Sequence, residues 1–138
     1  FRRVLFRSFN AADAETHFFQ IWILPRTDNI DPSYEQRPVS GMVTANNLTL
    51  LVSPDGRDDS LSINQDALLY KINPSQTPTE VEFDPRRCQF LQVTEGACSV
   101  DGQELQTGDM AYIEDEPQVT IIGAGGELLY FDLPRYSD

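Results

Sequence analysis

The chain has 138 residues, 40% of them hydrophobic and 10% aromatic, enough to bury one core and too few to make two domains the natural expectation. Ten Lys and Arg against 22 Asp and Glu give a formal charge of -12, which repels phosphate backbones and anionic lipid and excludes nucleic acid and membrane surfaces as partners. No stretch approaches the ~18 uninterrupted apolar residues of a membrane span, and nothing at the start combines a basic end, an apolar run and a cleavage site, so a soluble, cytoplasmic protein is expected.

The first eight residues, FRRVLFRS, carry three of the ten basic residues and no acidic one. They resemble the translation of a sequencing adapter and are set aside as a non-native scar. The run HFFQIWIL at residues 17–24 is aromatic and β-branched and ends at Pro25, which predicts a strand buried on both faces. Residues 25–41 are dense in Pro, Asp and Asn and predict a long ordered connection or linker.

Beyond Asn47 short strands recur between turn signals at roughly 8–12-residue spacing, the pattern of an all-β sandwich or barrel. Strands are predicted at 48–52, 61–63, 67–72, 81–83, 90–93, 97–100, 110–113, 119–122 and 128–133. Turns are predicted at 53–56, 73–78, 84–85, 95–96, 101–102, 108–109, 116–117 and 123–126. No window joins helical periodicity to caps at both ends, so little helix is expected.

Chemistry-bearing residues are sparse. The chain owns one histidine, His17, read as a solvated or hydrogen-bonded side chain at a strand entrance, whereas an iron, copper or nickel dioxygenase site needs several imidazole or carboxylate ligands around one ion. Cys88 and Cys98 are read as free thiols on neighbouring strands, within reach of a bridge that a cytoplasmic redox poise would keep open. Glu114-Asp115-Glu116 reads as surface charge, and Asp55, Asp58 and Asp59 as type I turn residues. No nucleophile has a base nearby in sequence, and the GAGG of 123–126 reads as a turn. No catalytic, cofactor-binding or metal-binding residue is assigned.

Two stretches carry a family likeness. GACSVDGQELQTGDMAYIEDEPQVTIIG, from Gly96, has the layout of a cupin's second half, with a hairpin at Asp101-Gly102 and a Gly108-Asp109 turn leading into a strand. HFFQIWILP, PSYEQR at 32–37, SPDGRDDSLSINQDALLY at 53–70 and the closing LLYFDLP resemble bacterial pirin-like proteins, whose two fused cupin barrels include quercetin 2,3-dioxygenases. The likeness runs from Phe9 to Pro134. It implies an inter-barrel strand and linker at 9–46 and the C-terminal cupin barrel, a double-stranded β-helix or jelly roll, at 47–138.

The family's metal ligands, three histidines and a glutamate, lie in its first barrel, and Arg7-Ser8 stands where the last of them would be. None is carried over, so the divalent metal, iron, copper or nickel, is expected in an absent N-terminal barrel that is also the main partner. Arg57, Asp58, Gln65, Asp66, Tyr112 and Tyr130 are candidates for a pocket or for contact with that barrel. Phe90, Tyr112, Tyr130 and Phe131 are either plain core or the lining of a cavity for one small, flavonol-like ligand. Without its partner the apolar run at 18–24 would be left open, and weak self-association is expected. A binding module without catalysis and a pirin-type protein-interaction domain are the alternatives.

Overall fold

The computed structural model describes residues 10–11, 13–42 and 44–135, so the segment set aside as a scar lies outside the described residues. Nine strands form one sheet: β1 (Thr44–Ala45), β2 (Leu48–Ser53), β3 (Leu61–Ser62), β4 (Leu68–Ile72), β5 (Thr79–Glu82), β6 (Arg87–Val100), β7 (Gln103–Gln106), β8 (Met110–Ile113) and β9 (Gln118–Pro134). Every pairing is antiparallel except the short one between β2 and β3. Two 3-10 turns, Val39–Gly41 and Arg57–Asp59, are the helical elements among the described residues.

The two long strands organise the rest. β6 and β9 pair from Arg87 opposite Pro134 to Val100 opposite Ile121, with register shifts between Val93 and Glu95 and between Gly96 and Cys98. On one side of these shifts β9 takes β4 as its other neighbour and β6 takes β8; on the other side β9 takes β5 and β6 takes β7. One strand pair thus serves two layers. With side chains alternating across each strand, Ile72, Leu91, Val93, Leu128 and Tyr130 of the first layer meet Val81, Cys98, Val100, Val119 and Ile121 of the second in a single buried cluster.

Glycine makes the shift. Gly96 and Gly126 stand opposite each other with φ of 80° and 103°, and a β-carbon on Gly126 would overlap the carbonyl oxygen of Glu95. The predicted turns at 95–96 and 123–126 are therefore not turns but bulges inside β6 and β9, and four predicted strands are two. Sequence reads the glycines as punctuation because it cannot tell a strand that ends from one that bends. At Asp101-Gly102 both φ values are positive, 47° and 81°, and here the chain does reverse, in a type I′ hairpin into β7.

Three further expectations need correction. Cys88 and Cys98 lie on the same strand, one at its start and the other beyond its bulges, so the intervening paired chain holds them far beyond disulfide reach. Asp58 and Asp59 are not type I turn residues: both have left-handed φ, at 54° and 61°, as does Gly56 before them at 67°. The segment 17–24 is extended but joins no sheet, and it is not buried: Phe18 is 64%, Leu24 70% and Trp22 86% exposed. Its aromatic composition suits burial, but among the described residues nothing covers its outer side. It is held to the barrel at its far end, where Gln65 Nε2 donates to the Leu24 carbonyl at 2.8 Å and the Arg26 amide to the Asn64 carbonyl at 2.7 Å.

The bulge sets an expectation. Gly126→Ala should cost at least about 3 kcal/mol through overlap and backbone strain, and Gly102→Ala, which meets open space, only about 1 kcal/mol. Urea denaturation of the two variants measures the difference; equal midpoints would remove Gly126 from its structural role.

Candidate functional site

Two cavities flank the first layer, one on each face. The inner one, about 460 Å³, opens at the barrel mouth between β1 and β5, where Tyr70 and Tyr130 stand beside Asp132 and Asp84. The outer one, about 610 Å³, is a groove between residues 19–24 and the reverse of the same sheet, floored by Phe90, Leu129, Phe131 and Leu133. Strand alternation decides which residue faces which: Tyr130 and Leu91 point inward, Phe131 and Phe90 outward.

The six candidate residues are divided among three places. Tyr130 is in the inner cavity, its ring stacked on Tyr70 at 5.4 Å and met edge-on by Phe83 at 5.6 Å. Arg57 stands at the same end of the barrel, where its guanidinium opposes the burial that raises the Tyr70 phenol. Asp58 follows it in the left-handed turn, which Ser53 holds by donating to Asp55 at 3.0 Å and Ser60 by donating to the Arg57 carbonyl at 2.7 Å. Gln65 faces the outer groove and tethers Leu24. Tyr112 is also outside, half-exposed, with its ring 5.0 Å from that of Phe90. Phe90 and Phe131 floor the outer groove, and the inner cavity draws on Tyr130 alone of the four aromatics expected there.

Asp66 belongs to an ion-pair node that sequence reading missed. Arg87, largely buried, donates through Nη1 to Asp66 and through Nε to Asp132, both at 2.8 Å, and through Nη2 to the carbonyls of the same two residues. The node fastens the start of β4 to β6 and β9 beneath the inner cavity. The neighbouring Asp84 takes a bidentate bond from Arg86, which draws its carboxyl down to about 2. Tyr130 shows the opposite trend: burial, with the Asp132 charge added, pushes its phenol far above the ordinary range, so the hydroxyl keeps its proton at neutral pH. Tyr70, Tyr130 and Asp132 share a face at neighbouring register positions, and the Tyr-x-Asp spacing of 130–132 was the signal available in the sequence.

This donor set does not fit a cupin's transition metal. The inner cavity offers phenols and carboxylates and no imidazole, and His17 lies on the exposed segment with its ring 4.6 Å from Phe19. Among the described residues no three His, Cys, Asp or Glu side chains are grouped to hold a metal ion. Nor is any helix among them long and apolar enough to cross a membrane.

Two facing layers that share a pair of long, bulged strands, with a cavity at their open end, define a cupin-type barrel. The chain belongs to the quercetinase C-terminal cupin domain family, whose pattern matches residues 50–133. It is 34% identical over 122 residues to the quercetin 2,3-dioxygenase of Escherichia coli K12, covering 86% of this chain and 51% of that protein. Among solved structures it resembles YhhW from E. coli, with a TM-score of 0.74 at 32% identity, covering 85% of this chain and 50% of that one. The bacterial pirin YhhW in complex with nickel(II) gives a TM-score of 0.73, covering 83% of this chain and 49% of that one, also at 32% identity. The chain thus spans about half the length of the curated relatives it matches.

The ion-pair node yields a contrast. Arg87→Met leaves two carboxylates without their cation and should destabilise the chain by about 3 kcal/mol, whereas Arg86→Ala, at an exposed guanidinium, should leave the unfolding midpoint nearly unchanged. Thermal and urea unfolding would show it, and a neutral Arg87→Met would contradict the assignment.

Proposed function

We propose that this chain is the C-terminal half of a two-barrel pirin of the quercetinase type, and that it docks on and shapes the metal-bearing half while holding no metal itself. The outer face of the first layer carries this reading. Phe90, Leu129, Phe131 and Leu133 make an apolar sheet face, residues 19–24 lie along it, and Trp22, Leu24, Met110 and Tyr112 remain open to solvent around it. A continuous apolar surface of that kind marks an interaction site, unlike scattered exposed side chains.

An N-terminal cupin barrel is the occupant we assign to it, since the chain matches a C-terminal cupin family and covers only about half of relatives twice its length, whose other half is left unmatched. Iron, copper or nickel would sit in that first barrel, and a flavonol-like substrate would be opened there with dioxygen. The nickel(II) complex of the bacterial pirin and the quercetin 2,3-dioxygenase relative support the assignment. The residues of this chain would position the partner barrel and exclude water from the seam. Two free thiols held far apart on one strand suit a reducing, cytoplasmic compartment. Alone, the chain would self-associate weakly through the open face.

The test is reconstitution. The chain dialysed against nickel, iron or copper salts should retain far less than one ion per molecule and leave quercetin unchanged. Mixed with the N-terminal cupin half of a quercetinase-type relative, it should form a complex that Met110→Asp weakens by about tenfold or more. One tightly held ion per isolated chain, or a complex indifferent to Met110→Asp, would overturn the division of labour.

A further inference from the structure

The inner cavity plays no part in that docking, yet its chemistry is unfinished. We propose that the barrel mouth is a binding site for a small organic cation, an alkyl- or arylammonium, recognised by the Tyr130 hydroxyl, the Asp132 carboxylate and the acidic rim at Glu80 and Glu82.

Tyr130 is the first observation. Only 4% of the residue is exposed, and its ring is fixed between Tyr70 and Phe83, yet its hydroxyl has no hydrogen-bond partner among the described residues. Those residues also contain no sealed side-chain polar atom lacking a partner, so the hydroxyl opens onto the cavity that it lines. A phenol held this rigidly, with one end apolar and the other aimed into an opening, is a preformed polar anchor.

Unused acceptors are the second. Arg87 bonds one oxygen of Asp132, and among the described residues the other oxygen and the Glu82 carboxylate have no donor. Glu80 receives only the neutral donors Thr120 and Gln118. A ligand that completes this arrangement must bring donors, as an ammonium does.

Charge selects among donors. Among the described residues no Lys, Arg or His lines the cavity, and the arginines around it are each engaged, Arg57 with Asp55, Arg86 with Asp84 and Arg87 with Asp66 and Asp132, which leaves the two glutamates of β5 without an ion-pair partner there. In a chain of formal charge -12 such a mouth draws cations and repels anions, and a neutral alcohol, though it can donate one hydrogen bond, gains no Coulombic attraction from the rim. The stacked tyrosines add an aromatic wall of the kind that favours organic cations over hydrated metal ions. The volume, about 460 Å³, falls in the ordinary range for small-molecule sites. The inference stands whether or not a metal-bearing barrel accompanies the chain.

Benzylamine is the probe, with benzyl alcohol and benzoate as its neutral and anionic counterparts, titrated into the full chain by calorimetry and by nitrogen-15 and aromatic NMR. Benzylamine should shift the signals of Tyr70, Tyr130 and Asp132, saturate, and bind more weakly as salt is added. Tyr130→Phe, which removes one oxygen from an otherwise retained ring, should weaken binding about tenfold, and Glu82→Gln about threefold. Should Tyr130→Phe fail to fold, Glu82→Gln on the exposed edge strand decides alone. Equal binding of benzyl alcohol or benzoate, shifts confined to the outer groove, absence of any shift with benzylamine, or affinity unchanged by the substitutions would each overturn the proposal.

Discussion

The pairing of β6 with β9 is the constraint from which every other strand takes its place. Two strands of 14 and 17 residues are longer than either layer needs, and the glycine bulges at their middle let them leave one layer and enter the other without losing the ladder. Because the ladder is continuous, side-chain alternation is set on both sides of the bend. Tyr130 therefore looks into the barrel, and Phe131, its neighbour in sequence, looks out. The inner cavity and the outer groove are two faces of one piece of backbone.

Much of this was legible in the sequence, at the level of strands and faces. Short apolar runs between turn signals marked β2, β3, β4 and β8 to within a residue at either end, and Asp101-Gly102 announced its hairpin because a type I′ turn demands left-handed residues at both positions. The long strands were not legible as wholes. Gly96 and Gly126 look the same in sequence whether they terminate a strand or pinch it, and only the approach of the Glu95 carbonyl to Gly126 separates the cases. The apolar run at 17–24 misled for a related reason: hydrophobicity records that a surface seeks cover without recording whose surface will supply it.

The site was legible in part. The scarcity of imidazole can be counted directly in the sequence. Tyr130 could be named from its place in a strand, but Tyr70 stacks on it through register between β4 and β9, sixty residues apart, and Arg87 joins Asp66 to Asp132 across a similar distance. Such contacts belong to topology, and one chain read alone carries no signal for them.

The single tryptophan illustrates what the architecture means for anyone who handles this protein. Trp22 lies on the extended segment, almost wholly in solvent, and makes no part of the buried cluster. Its emission is consequently an optical label on the edge of the outer groove and nearly blind to the melting of the barrel. A blue shift would announce that something had settled over that edge, and an unchanged spectrum would say little about whether the strands behind it were still folded.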